Sequence, residues 1–184
     1  MLNSEMTKFY ENKVEDDSRN RIIEQRFLEF ALQRTVGSDQ SWAKQAGRFA
    51  ALPGRDETDL FGSVDMAYAA HILGVLTELT DGIHANWIET ILSFQTEDGW
   101  FRAGDRQGHG VEHSTAYALG ALQILGAHKP ALRKIKSFAE EVDAKPDEKT
   151  SPFSMSILDR THFWRGSHRA GGLASIVGSV RQLG

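Results

Sequence analysis

The stretch from Gln95 to Gly126 joins a polar, glycine-rich loop to a segment with apolar residues on almost every helical face. The loop reads QTEDGWFRAGDRQGHGVE, and the segment from His113 onward reads HSTAYALGALQILG. A helix that is apolar all round is stable only when other elements cover most of its surface. The chain must therefore supply further helices that pack around this one.

Two kinds of helix alternate along the chain. Segments that are apolar on most faces lie at residues 63–79, 113–125 and 167–183. Within VDMAYAAHILGVL, residues 64–76 of the first segment, only Asp65, Tyr68 and His71 are polar exceptions. Segments with one apolar face lie at residues 21–35, 42–50, 83–95 and 130–142. This pattern predicts an all-α fold of helical hairpins, with apolar inner helices and amphipathic outer helices.

An internal similarity relates two of the apolar segments. Residues 64–69, VDMAYA, align with residues 113–118, HSTAYA, and a weaker similarity lies near residues 168–178. A period of about 50 residues with two helices per unit is typical of stacked helical hairpins. The other interpretation is that apolar helices of similar composition match by chance, and the alternation of helix types does not depend on the match.

The composition fits one compact globular domain. The chain has 184 residues, of which 40% are hydrophobic and 25% charged, and these fractions are ordinary for a soluble protein. Lys and Arg number 21 against 25 for Asp and Glu, whereas a nucleic-acid-binding domain usually carries a basic excess. We therefore expect no nucleic-acid partner.

Several other classes are excluded by what the sequence lacks. Without cysteine the chain has no disulfide, no thiolate nucleophile and no cysteine-ligated metal. The sequence contains no Walker phosphate loop, dinucleotide fingerprint or GxSxG motif, so we predict no cofactor. The N-terminus does not have the pattern of a secretion signal, and no apolar run is long enough to span a bilayer. We expect a cytoplasmic protein.

QTEDGWF followed by HSTAYALGALQILG resembles the repeat of the (α/α) toroid proteins, which include terpenoid cyclases, protein prenyltransferases and several glycan-processing enzymes. In that superfamily, a Gln-x-x-Asp-Gly-aromatic turn leads into an inner helix, and the inner helices form a ring. The resemblance implies helical hairpin repeats that form an open or partial (α/α) toroid. A fold does not by itself determine a function.

This chain also departs from the superfamily. The resemblance implies a closed ring of more hairpins than the chain supplies, so we expect an open arc, a fragment of a larger toroid or half of an assembly. The aspartate-rich protonating motif of squalene-type cyclases and the Asp, Cys and His zinc set of protein prenyltransferases are both absent. Neither activity transfers to this chain, which we expect to form one all-α domain over residues 1–184 with a flexible leader at residues 1–18.

The architecture implied by the resemblance places the connections at residues 53–62, 97–111 and 144–166 on one rim, beside the N-termini of the inner helices. Those N-termini favour anions through their free N–H groups and the helix dipole. The rim is rich in polar and aromatic residues. Our candidates for catalysis are His113, His168, Glu112 and Tyr117, and our candidates for substrate binding are Trp100, Arg102, Asp105, His109, His162, Trp164, Arg165 and Arg169.

His113 and His168 are candidates for a general acid or base, because imidazole titrates near neutral pH and a nearby carboxylate can orient it. His109 and His113 share a helical face if the helix starts early enough, and with Glu112 or Asp105 they form a weak metal-binding pattern. No HExxH or comparable signature accompanies them. We therefore predict no metal and favour hydrogen bonding, capping or substrate contact.

Two roles remain open for the rim aromatics and for the tyrosines at equivalent positions of the inner helices. Trp100 and Trp164 either stack on a sugar ring or close the rim of the core. Tyr68 and Tyr117 either direct their hydroxyls toward a central cavity or pack with satisfied hydroxyls.

The charged residues of the rim also have two interpretations. Arg165 and Arg169 suit an anionic group such as a carboxylate or phosphate, or they form internal salt bridges with the acidic residues of the rim. Asp98 and Gly99 are expected to shape the turn itself.

Two functional hypotheses follow. The first is an enzyme acting on an anionic, glycan-like or otherwise polyhydroxylated small-molecule substrate, with a rim histidine as general acid or base. The second is a noncatalytic helical-repeat module for binding or assembly, which predicts a homo-oligomer. Terpenoid cyclase-like or prenyltransferase-like chemistry is a weaker third hypothesis, since an isoprenoid cavity requires more aromatic residues on the inner helices.

Overall fold

The computed structural model describes residues 47–103, 110–135 and 163–182, together with residues 22, 25, 26, 29 and 30. The side chains of Glu78 and of residues 163–165 lie outside the description. The helices are α1 (Leu60–Ile72), α2 (Asp81–Leu92), α3 (Val111–Ile124), α4 (residues 128–135) and α5 (Phe163–Arg181), with a 3-10 helix at Val75–Glu78. The predicted all-α class is confirmed for this part of the chain, where β structure is limited to isolated bridges such as that between Gln95 and Phe101.

The N-terminus of α1 is fixed by Asp59. Its Oδ1 accepts a hydrogen bond of 2.7 Å from the Gly62 N–H, and its Oδ2 accepts one from the Ala51 N–H. A carboxylate at this position satisfies a free donor of the first helical turn. This cap starts the helix at Leu60, earlier than the predicted residue 63.

The C-terminus of α1 also differs from the prediction, which extended the helix to residue 79. The helix ends at Ile72 because Gly74 adopts a left-handed conformation with φ of 74°. Such a glycine stops an α-helix and reverses the chain. The following residues form the 3-10 helix instead.

The predicted helix at residues 42–50 is wrong over its described part. Gly47 has a φ of 93°, and Phe49 O accepts a hydrogen bond of 3.0 Å from the Asp59 N–H. Residues 47–50 therefore form a turn and a short extended segment. Phe49 and Ala50, the two apolar residues of this part, are buried although they are not helical. Residues 42–46 lie outside the described residues.

The later helices lie close to their predicted positions. Helices α2 and α3 begin two residues before the predicted starts at 83 and 113, and α4 covers the beginning of the predicted 130–142 segment. Helix α5 begins earlier than predicted, at Phe163. Trp164 and Arg165 are therefore helical residues, although the sequence pattern assigned them to the connection at 144–166.

Helix α3 packs against both α1 and α5. Helix α1 buries most of its residues, whereas α2 buries only Trp87 and Ile91. The largest fully buried side chains include Trp87, Phe49 and Phe101, which lie on α2 and on the two turns that precede α1 and α3. Burial is thus greater for the helices that the sequence predicts to be inner ones.

Close backbone contact brings α3 and α5 together. A Cβ atom added to Gly172 would lie 2.6 Å from the carbonyl carbon of Glu112, closer than real side chains come. On the other face of the bundle, a Cβ atom on Gly120 would collide with the Tyr68 hydroxyl. Glycine at these two positions lets α5 and α1 approach α3.

Two turns pack on α2 and α4 in a similar way. Gly47 lies against the backbone of Trp87 on α2, and Gly99, with a φ of 87°, lies against Lys134 and Ile135 on α4. Each glycine precedes a buried phenylalanine by two positions, Phe49 in the first turn and Phe101 in the second. Ser63 Oγ on α1 donates to Gly47 O, and Thr115 Oγ1 on α3 accepts from the Phe101 N–H.

Candidate functional site

The turn at residues 95–102 has a structural role, as predicted for Asp98 and Gly99. The Gln95 side-chain amide donates to Gly99 O at 2.8 Å and to Ala131 O at 3.0 Å, which ties the turn to α4. Asp98 accepts hydrogen bonds from Thr96 Oγ1 and from the Arg102 guanidinium, which hold its pKa below the usual value. Its side chain is exposed and satisfied by the turn itself.

The two histidines selected for catalysis lie together. His113, in the first turn of α3, stacks on His168 of α5 with the ring centroids 4.6 Å apart and an interplanar angle of 16°. His113 also lies parallel to Tyr117, one turn further along α3, at 5.8 Å and 17°. The contact of α3 with α5 at Gly172 permits this stacking, since it sets the two helices at short range.

The aromatic stack continues onto α1. The Tyr68 ring lies 5.1 Å from that of Tyr117, and the Tyr68 hydroxyl donates a long hydrogen bond of 3.4 Å to Tyr117 O. Phe61 approaches both His113 and Tyr117, at 6.3 Å and 5.8 Å. Side chains from three helices, α1, α3 and α5, thus form one aromatic cluster, which we define as Phe61, Tyr68, His113, Tyr117 and His168.

Asp65 joins this cluster through a hydrogen bond. The Tyr117 hydroxyl donates to Asp65 Oδ1 at 2.7 Å. Burial and then the hydrogen bond to Asp65 raise the pKa of Tyr117, and burial raises the pKa of Tyr68. Both phenols therefore stay protonated at neutral pH, and they serve as hydrogen-bond donors rather than as bases.

Glu112 is held by Arg169. The Arg169 Nε lies 2.8 Å from Glu112 Oε1, and the Glu112 side chain is 15% exposed. Arg102 is paired in the same way, with Asp98. For these two arginines the geometry favours the internal salt bridge over an anionic ligand, because a paired guanidinium has part of its charge and donors already committed.

A cleft of about 220 Å³ adjoins the aromatic cluster. Helices α1 and α3 contribute Tyr68, His113, Ala116 and Tyr117 to its lining, and α5 contributes Gly171, Gly172 and Ser175. Aromatic and imidazole groups thus face a helix surface of small residues. Of the four candidate catalytic residues, His113 and Tyr117 are among its described lining residues, whereas His168 and Glu112 are not.

The remaining predicted residues do not all reach this cleft. Trp100 and Arg102 are not among the described residues that line the cleft. Trp100 packs half-buried against the hydrophobic core. Asp105, His109 and His162 lie outside the described residues, as do the side chains of Trp164 and Arg165. Within the described part of the chain, no three His, Asp or Glu side chains converge in a way that would hold a metal ion.

Sequence reasoning missed several residues of the site. In the sequence, Asp65 is only a polar exception in an apolar helix. Its hydrogen bond with Tyr117 depends on how α1 and α3 pack. The glycines Gly171 and Gly172 carried no chemical signal, yet they shape the cleft and allow the close approach of α5. Such residues are recognisable only once the helix neighbours are known.

Comparisons with models of protein families, with curated protein sequences and with solved structures found no match for this chain. None of the helices in the described ranges is both long and apolar enough to cross a membrane. We therefore infer a function from the geometry of the site.

Proposed function

We propose that the cleft beside the aromatic cluster binds a small polyhydroxylated, glycan-like ligand and that His113 acts on it as a general acid or base. The supporting observation is the stacking of His113 on His168 beside the Tyr68 and Tyr117 pair, at the edge of an open cleft. Imidazole and hydroxyl groups donate and accept hydrogen bonds, which suits a ligand rich in hydroxyls.

Each helix has a different part in this proposal. His113 transfers a proton to or from a ligand hydroxyl, and the His168 ring orients it by stacking. Tyr117 is held by Asp65 and contributes a fixed aromatic wall rather than a proton. Arg169 orders Glu112 at the start of α3 through their salt bridge. The proposed preference for anionic substrates depends on the sequence alone, through Arg165, whose side chain lies outside the described residues.

Two glycines of α5 provide the test of ligand binding. Gly171 lines the cleft and Gly178 does not, although both are helical and a Cβ atom at either meets nothing within 4 Å. Gly171→Leu should fill the cleft, and Gly178→Leu is the matched control at the same helical face. We expect glucose, N-acetylglucosamine, glucuronate or inositol to shift the NMR signals of Tyr68 and Tyr117 in the wild type and in G178L, but not in G171L.

The result that overturns the binding proposal is equally specific. If none of these compounds shifts the signals at high concentration, or if G171L binds as well as G178L, the cleft is not a polyol site. For a compound that binds, His113→Asn should retain affinity within about threefold and lose turnover, since a general acid–base residue contributes about 10²–10⁴-fold to rate. Equal turnover in H113N would remove His113 from the catalytic role.

We also propose that the helices are arranged as hairpin repeats of an open (α/α) toroid. Two observations support this arrangement: the turns at Gly47 and Gly99 pack on outer helices alike, and Tyr68 of α1 contacts Tyr117 of α3, its equivalent in the aligned segments. An experimental structure of the chain tests it. A third turn of the same kind before α5 is expected, and a different connection there would contradict the repeat.

The alternative of a noncatalytic assembly module has one observation in its favour. Ile72, at the end of α1, is 79% exposed, and Leu52 is 57% exposed. Exposed apolar side chains of this size are commonly covered by a partner when they form a patch. A stable oligomer in light scattering that Ile72→Ser dissociates would support this function, and a monomer at all concentrations would count against it.

A further inference from the structure

A second cleft, of about 620 Å³, lies on the polar face of α2, away from the aromatic cluster. Asn86, Glu89, Thr90 and Ser93 line it, and these positions recur at intervals of three or four residues, which places them on one side of the helix. The volume falls in the range of small-molecule sites, about 300–1,000 Å³. Nothing in the proposed function uses this cleft.

The loop before α1 adds a cation, Arg48, to the described lining of the cleft. Gly47 packs against Trp87 and Thr90 of α2, which places its neighbour Arg48 beside that helix. The Asp59 N–H donates to Phe49 O at 3.0 Å and closes the base of the loop, so that Thr58 enters the lining from its other arm. Two arms of one loop thus bring Arg48 and Thr58 to the polar face of α2.

Two of the described residues that line this cleft, Arg48 and Glu89, are charged and exposed. Among the described residues, neither Arg48 nor Glu89 has a salt-bridge or side-chain hydrogen-bond partner. The Thr58 Oγ1 is buried and has no hydrogen-bond partner either. A buried hydroxyl without a partner is uncommon in folded proteins.

We infer that this cleft binds a small zwitterion, an α-amino acid or a short peptide. The Arg48 guanidinium suits the ligand carboxylate, since it offers paired donors in a planar fork. The Glu89 carboxylate suits the ligand ammonium group, and Phe94 provides an apolar contact for a side chain. A ligand of single charge would leave one of the two protein charges unpaired.

The test uses L-leucine, L-phenylalanine and the dipeptide glycyl-L-leucine with the whole chain. Isothermal titration calorimetry should detect binding of at least one of them. Arg48→Gln and Glu89→Gln should each weaken that binding by about tenfold or more, the usual effect of losing one charge-assisted contact. The matched controls, Arg133→Gln and Glu97→Gln, change exposed charges outside the cleft and should bind like the wild type.

Modified ligands show which protein group meets which ligand charge. The methyl ester lacks the carboxylate and should bind the wild type weakly, whereas R48Q should no longer distinguish the acid from the ester. The N-acetyl derivative should be distinguished from the free amine by the wild type but not by E89Q. The inference fails if none of the three ligands binds at about 10 mM, far weaker than a specific site requires, or if R48Q still discriminates the ester.

Amino-acid binding at this cleft can be tested independently of polyol binding beside the aromatic cluster. Gly171→Leu fills only the cleft beside the aromatic cluster, so it should leave amino-acid binding unchanged. Conversely, R48Q should leave the sugar response of Tyr68 and Tyr117 intact. Loss of both responses in one variant would point to unfolding, and circular dichroism of each variant identifies that case.

Discussion

The hydroxyl of Tyr117 donates a hydrogen bond of 2.7 Å to Asp65 and joins two helices that lie 52 positions apart in the chain. The link joins α3 to α1 through a phenol, whose pKa is raised, and a carboxylate that accepts its hydrogen bond. The link holds one wall of the candidate cleft. Its removal should therefore affect both stability and the aromatic cluster.

Tyr117→Phe should lower the free energy of unfolding by about 1–2 kcal/mol, because the half-buried Asp65 carboxylate loses its donor. Tyr68→Phe is the matched control, since its hydrogen bond of 3.4 Å is long and should contribute much less. Urea denaturation measures both. A double-mutant cycle with Asp65→Asn isolates the pair, and additivity of Y117F and D65N would show that the hydrogen bond contributes nothing.

Alkaline pH should destabilise the folded chain through the same tyrosine. The folded pKa of Tyr117 is raised above its unfolded value of 10.0, first by burial and then by Asp65. This contribution to stability is complete below that value and is lost as the pH rises, because only the unfolded chain then ionises readily. Urea midpoints across the alkaline range should fall less steeply in Y117F. An equal slope in wild type and Y117F would contradict the assignment.

Gly172→Ala and Gly178→Ala should change stability in opposite directions. A Cβ atom at residue 172 would lie 2.6 Å from the Glu112 backbone and force α5 away from α3, whereas at residue 178 it meets nothing within 4 Å. We expect G172A to lose about 1–3 kcal/mol through overpacking and G178A to gain about 0.5–1 kcal/mol through helix propensity. Thermal and urea unfolding provide both values, and a stabilised G172A would refute the close contact.

Gly99→Ala should destabilise the turn far more than Gly54→Ala. Both glycines have positive φ, 87° and 73°, but a Cβ atom at residue 99 also meets Ile135 and the Lys134 backbone, while residue 54 is in open space. The conformational penalty alone is about 1 kcal/mol or more, so G54A should lose about that much. G99A should lose several times more, measured by urea denaturation. Equal losses would mean that the turn does not pack on α4.

The alternation of helix types could be derived from the sequence because hydrophobic periodicity reports how much of each helix must be buried. It located α2 and α3 to within three residues at each end, and it identified the turn around Asp98 and Gly99. The hydrophobic periodicity gave a wrong prediction at residues 47–50, where the apolar residues Phe49 and Ala50 are buried but not helical. It also missed the end of the first predicted inner helix before Gly74, whose left-handed conformation divides that segment.

The amino-acid sequence by itself determined the helical class and the candidate histidines, since both follow from local pattern and residue chemistry. Only the tertiary structure decided that His113 stacks on His168, that Asp65 accepts from Tyr117, and that Arg169 pairs with Glu112. These contacts depend on the register between helices, to which close approaches such as that at Gly172 contribute. Local periodicity carries no information about that register, because it fixes which face of a helix is buried but not which residue lies opposite.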